Sequence, residues 1–133
     1  MDASMLKFLV GGVLAAHGVG HVLGSMPALG IATFEGVSSR SWLLSGVLGD
    51  GARLVAGIAF VVPTAGFLVA AAGLVTGQPW WRQVAVGSAA ASLACTALFP
   101  QAFTSGSTIG SIAVNLAVLV GILVLGWGQA TLA

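Results

Sequence analysis

Two histidines, His17 and His21, stand in an otherwise apolar run, Ala16-His17-Gly18-Val19-Gly20-His21. Positions i and i+4 of a helix share a face, with side chains about 6 Å apart, so both imidazoles point the same way. A neutral imidazole offers one donor and one acceptor, and it titrates near neutrality. One ring could take a proton while the other gives one, which suffices for isomerisation, hydration, ring opening or cyclisation of a small molecule. The same pair could ligate zinc or copper, but a metal site needs a third ligand, and no second ligand pair with recognisable spacing exists in the chain. One haem could not take both rings axially, because they project from one face; haem would need a dimer or a single-histidine site. No cofactor is therefore expected, with metal and haem kept as alternatives. The bland reading is that both rings bond nearby carbonyls and fix the helices together.

The setting of the pair is lipid. Charged residues make up 5% of the chain and hydrophobic ones 58%, whereas soluble domains carry about 25% charge to keep their surfaces wet. The charges are also bunched: none lies between Arg53 and Arg82, and none follows Arg82. Four scattered basic residues cannot track a phosphate backbone, which excludes nucleic acid as a partner. One cysteine, Cys95, excludes an intrachain disulfide.

A helix needs about 20 apolar residues to cross a hydrocarbon core of about 30 Å. Four segments reach that length, roughly 5–26, 54–76, 83–99 and 108–128. Backbone amides in lipid must bond within their own segment, and none of the segments alternates like a barrel strand. The expected fold is all-α: one transmembrane domain over 1–133, an antiparallel four-helix bundle. The first segment follows Lys7 and is read as a retained helix rather than a signal peptide. Gly77-Gln78-Pro79 and 100–107 are short turns joining antiparallel neighbours, and Trp80-Trp81-Arg82 reads as an interfacial anchor. The first two helices are joined by a longer, partly apolar link. Its Ser41-Trp42-Leu43-Leu44 and Val47-Leu48 suit either a short interfacial helix or an early extension of the second span.

Counting back from the loop end at about 1.5 Å per residue, His21 lies about 7 Å deep and His17 about 13 Å. Asn115 falls about 10 Å deep and Cys95 about 6 Å on the same count. Asp50 and Arg53 stand at the mouth, and Pro63 can loosen the second span at similar depth. The expected catalytic set is His17, His21, Asp50 and Asn115, with Asp50 folded over to orient His21. Arg53, Trp42 and Cys95 are the expected binding contacts. The bland alternatives are interhelical glue for Asn115, apolar filling for Cys95, and an Asp50–Arg53 pair at the helix entrance.

Gly20 and Gly24, Gly87 and Ala91, and Gly106 and Gly110 each sit four apart, the spacing at which helix backbones approach closely in lipid. With 20 glycines in the chain, chance supplies some such pairs. They would suit a homodimer or a larger membrane complex. Lys7 and Arg82 balance Arg40 and Arg53 across the membrane, so the positive-inside rule favours neither orientation. Setting the long link outside puts the termini in the cytoplasm.

The segment Ala16 through Gly24 resembles a group of small bacterial four-helix membrane proteins whose first helix carries a His-Gly-x-x-His run followed by a glycine. The likeness continues discontinuously at Trp80-Trp81 and at Thr108-Ile109-Gly110-Ser111-Ile112-Ala113-Val114-Asn115-Leu116. In architecture the chain is similar to the DoxX-like four-helix proteins. The resemblance implies a topology and a bacterial inner membrane, marks His17, His21 and Asn115, and implies no activity. The function expected from the residues is an intramembrane, histidine-lined pocket that binds or transforms a hydrophobic small molecule by acid–base chemistry. Its alternatives are an accessory subunit or transporter component, and a metal- or haem-binding protein.

Overall fold

The structure, a computed structural model, describes residues 2–128, and among them there is no strand. The helices are α1 (Ala3–Gly20), α2 (Val22–Ala28), α3 (Ser45–Leu48), α4 (Gly51–Val75), α5 (Trp81–Leu98) and α6 (Ser105–Leu119), the last continued by a π turn over Val120–Val124. Asp2 caps α1 by accepting from the Met5 amide at 2.7 Å, which satisfies one of the free amides of the first turn. At His21 the ladder tightens to an i−3 bond, His21 N to Gly18 O, and α2 then continues the same rod past Pro27. Three stretches, Ala3–Ala28, Gly51–Val75 and Ser105–Val124, are long and apolar enough to cross a membrane.

The fourth expected span, α5, falls short on composition. It lies between α4 and α6, and its buried face is Trp81, Ala85, Ser88, Ala89, Ser92, Cys95 and Thr96. Arg82 and Gln83 in its first turn and the hydroxyls of Ser88, Ser92 and Thr96 on its buried face lower its apolar content.

Close contacts fix the antiparallel register. Gly11 lies against Val75 and Ala71, and Gly18 against Phe67 and the Thr64 carbonyl, so α1 runs down α4. Gly66 meets Ser88 and Gly73 meets Trp80 and Trp81, which aligns α4 with α5. Of the small-residue pairs expected to pack, only Gly24 touches another element, at Phe103 and Phe60; Gly20, Gly87, Gly106 and Gly110 face open space. The core divides into one cluster around Leu14, Phe67, Leu74 and Trp81 and another around Phe60, Phe99 and Ala102.

The long link forms a separate turn and the single helical turn α3, not an extension of α4, because Gly49 breaks the chain at φ 54°. Ser41 organises that turn through its hydroxyl, which accepts from the Leu43 and Leu44 amides. The link is tied down by Ser38 N to Gln101 O at 2.8 Å and by the Trp42 indole donating to Ala97 O at 2.7 Å. Trp42 is nevertheless 72% exposed.

Candidate functional site

Asn115 is the only buried residue of α6, and it is wholly enclosed. A polar residue in that position must find partners. Its Nδ2 donates to Ser92 Oγ at 2.7 Å, and its Oδ1 lies 3.0 Å from His17 Nε2. Ser92, also wholly enclosed, contacts His21 Nε2 at 2.6 Å, and His21 Nδ1 reaches the His17 carbonyl at 2.8 Å. The chain of bonds therefore leaves α1 at His17, crosses α6 and α5, and returns to α1 at His21.

The donors in this loop follow from its fixed points. A carbonyl only accepts, so His21 Nδ1 carries a proton, and Nε2 of the neutral ring accepts from the Ser92 hydroxyl. Ser92 Oγ in turn accepts from Asn115 Nδ2, which leaves Asn115 Oδ1 to accept from a protonated His17 Nε2. Turning the amide over would force both nitrogens of His21 to donate, making it a cation. In the neutral set one ring acceptor is left over: His17 Nδ1 keeps a bare lone pair. Among the described residues it has no hydrogen-bond partner, and it is not an enclosed polar atom.

Aromatic rings hold the imidazoles in place. His17 meets Phe67 edge-on at 4.8 Å, and His21 stacks over the same ring at 5.9 Å. Phe103, at the foot of α6, stands edge-on to His21 at 6.1 Å and to Phe60 at 5.2 Å. His21 is 2% exposed, whereas His17 is half-buried and lines a groove. That groove, of about 310 Å³, runs between α1 and α6 over Ala16, Gly20, Ser107, Gly110, Ser111 and Val114. Gly20 and Gly110 make the room: a Cβ on either would meet nothing within 4 Å. An enclosed dry cavity of about 150 Å³ admits benzene; this groove is larger and open on one side. Ser111 Oγ is enclosed nearby without a partner.

No protein-family model, curated protein or solved structure matches the chain.

The structure brings together His17, His21 and Asn115 from the expected set and leaves the others apart. Asp50 does not orient His21, whose ring nitrogens are already engaged; it is exposed at the start of α4 with no side-chain cap bond. Arg53 donates to Pro27 O at 3.3 Å, and Trp42 holds the link to α5. Cys95 is buried beside α4, where its thiol donates to Ala59 O at 3.6 Å. Pro63 lacks the amide that would bond the carbonyl four residues earlier, which is Ala59, so Cys95 fills the place that Pro63 leaves open. Sequence reasoning missed Ser92. Its signal was the Ser88, Ser92, Thr96 row at i, i+4 on one face of α5, a hydroxyl stripe that lipid would not favour. Among the described residues no three His, Cys, Asp or Glu side chains gather in a metal-ligating cluster.

Proposed function

We propose that the chain is an integral membrane protein of four antiparallel spans whose α1–α6 groove binds a lipid-soluble small molecule through an O–H group, with His17 Nδ1 as acceptor. One observation carries this: the neutral hydrogen-bond loop closes on itself and leaves a single unpartnered ring nitrogen, on the histidine that borders the groove. A packing-only histidine would spend that lone pair on a donor from a neighbouring helix, as His21 Nε2 does on the Ser92 hydroxyl.

The tryptophans supply the membrane frame. Trp42 bonds to Ala97 at one end of α5 and the exposed Trp80 stands at the other, seventeen residues from Trp80 to Ala97, or about 26 Å of helix, whereas Trp81 turns into the core. Aromatic belts flank a core of about 30 Å, a separation close to this one. Ser92 then lies about 8 Å below the Trp42 level, which agrees with the depth expected of His21 from sequence. The resemblance of the His-Gly-x-x-His segment supports a bacterial inner membrane as the location.

The arrangement also suits proton transfer. A proton leaving the bound O–H goes to His17 Nδ1, and the imidazolium so formed is steadied by Asn115 Oδ1 on its Nε2–H. Returning that proton to another atom of the same molecule gives a net isomerisation that needs no co-reactant. A rival reading, an accessory subunit of a larger complex, draws on the outward-facing Gly87 and Gly106, and copurification of a fixed partner would favour it.

The test uses 4-nonylphenol as a probe of the groove, added to ¹⁵N-histidine-labelled protein in dodecyl maltoside micelles. The expected result is a saturable shift of the His17 Nδ1 resonance, lost in Gly110→Leu while that variant keeps its helix content and unfolding midpoint. No shift at saturating probe, or an undiminished shift in Gly110→Leu, would overturn the reading.

A further inference from the structure

The groove beside His17 is one stretch of a longer seam. Away from the link it continues, through the shared Val114, into a hollow of about 320 Å³ over Leu9, Val13, Ala117 and Trp127. Toward the link it shares Leu23 and Phe103 with a hollow of about 190 Å³ walled by Phe34 and Val37. Those two residues also border a basin of about 240 Å³ that holds Arg40 and Arg53 beside Thr33, Ser38 and Ser39. The seam is thus apolar for most of its length, interrupted by the His17 layer, and cationic at one end only.

Among the described residues neither arginine is ion-paired, although Glu35 and Asp50 lie in the same stretch of chain. Both arginines are exposed, so an anion can reach the basin without displacing a carboxylate. Two planar donor forks with neighbouring hydroxyls match the several oxygens of a phosphate better than the two of a carboxylate. Arg53 bonds the carbonyl of Pro27, which fixes the level of the head. Leu9 is eighteen residues further down the rod, about 27 Å, and His17 about 15 Å. One leaflet, half of a core of about 30 Å, ends near His17, so a chain that continues to Leu9 passes the midplane.

We propose that the seam holds one long-chain amphiphile with a phosphate-class head, the head between Arg40 and Arg53 and the chain running along α1 and α6 past His17. This deepens the proposed function and rests on it for the groove: the molecule read by His17 is a phosphorylated lipid bearing its O–H about 15 Å from the head.

The test compares dodecyl phosphate, dodecan-1-ol and inorganic phosphate on the full chain in dodecyl maltoside micelles, read as the rise in unfolding midpoint. Dodecyl phosphate should act at about tenfold lower concentration than the alcohol. The Arg40→Gln/Arg53→Gln variant should bring it down to the alcohol's level and leave the response to the alcohol unchanged. Should the double variant fail to fold, Arg40→Gln alone, at an exposed link residue, should show a partial loss in the same direction. Equal responses to both amphiphiles in the wild type overturn the anionic head and leave the groove standing. Inorganic phosphate as potent as dodecyl phosphate assigns the basin to a free anion and ends the seam proposal. No response to either amphiphile overturns this proposal and the groove together. A dimer that Gly110→Leu converts to a monomer gives the seam to a second copy of the chain, which also refutes it.

Discussion

Removing Ser92 and Asn115 singly and together measures whether the hydrogen-bond loop acts as a unit. Ser92→Ala removes two bonds, the hydroxyl to His21 Nε2 and the acceptor of Asn115 Nδ2. Asn115→Ala also removes two, to Ser92 and to His17. In a soluble core each abandoned partner would cost about 1–3 kcal/mol. In a bilayer the unfolded helices find substitutes, and measured interhelical bonds average about 0.6 and reach about 1.7 kcal/mol. The lipid figures govern here, so each single change should destabilise by about 1–3 kcal/mol, with Asn115→Ala the larger because it also empties a fully buried site. The double variant loses three bonds, not four. It should therefore fall short of the sum by one bond, about 0.6–1.7 kcal/mol. Reversible unfolding in mixed dodecyl maltoside and dodecyl sulfate micelles gives all four corners of the cycle. Additivity within about 0.3 kcal/mol would refute the shared Ser92–Asn115 bond and, with it, the assignment of donors around the loop.

Three further outcomes follow from the same contacts. The two histidines should hold opposite neutral tautomers, proton on Nε2 for His17 and on Nδ1 for His21, visible in their ¹⁵N shifts; identical tautomers would break the loop as drawn. Cys95→Ser should keep or strengthen the bond to Ala59 O, whereas Cys95→Ala should cost about 0.5–1.5 kcal/mol, measured in the same micelles; equal stability of the two variants would show that Pro63 needs no such partner. Gly18→Val forces a side chain into Phe67 and the Thr64 backbone, where a Cβ would sit 2.9 Å and 3.1 Å away, and should destabilise by about 1–3 kcal/mol. Gly87→Val faces open space and should be nearly neutral, so similar losses in both would contradict the α1–α4 register.

The all-helical fold and the inward turn of the two imidazoles were legible because lipid leaves few options: apolar runs must be helices, and a buried imidazole needs a partner. Segment ends were less so. The first span was expected over roughly 5–26, yet the helix runs on through Pro27 to Ala28, where the proline leaves the Leu23 carbonyl without its amide. Asp50 was placed over His21 on chain proximity, but which carbonyl or hydroxyl reaches a ring nitrogen depends on helix register, set by the close contacts at Gly11, Gly18, Gly66 and Gly73. Spacing alone did not separate those glycines from Gly20 and Gly110, which have the same chemistry but widen the groove instead of closing an interface. Trp42, read as a binding contact, instead anchors the link to Ala97.

The tether from Ser38 to Gln101 lays the link across the end of the helices, so the proposed guest would enter sideways, between α1 and α6. A molecule arriving by that route is already dissolved among acyl chains, and its effective concentration is its mole fraction in the membrane. Occupancy should then track the ratio of guest to lipid and stay nearly constant when water is added. Diluting the same preparation with empty vesicles should strip the groove, although nothing in the aqueous phase has changed.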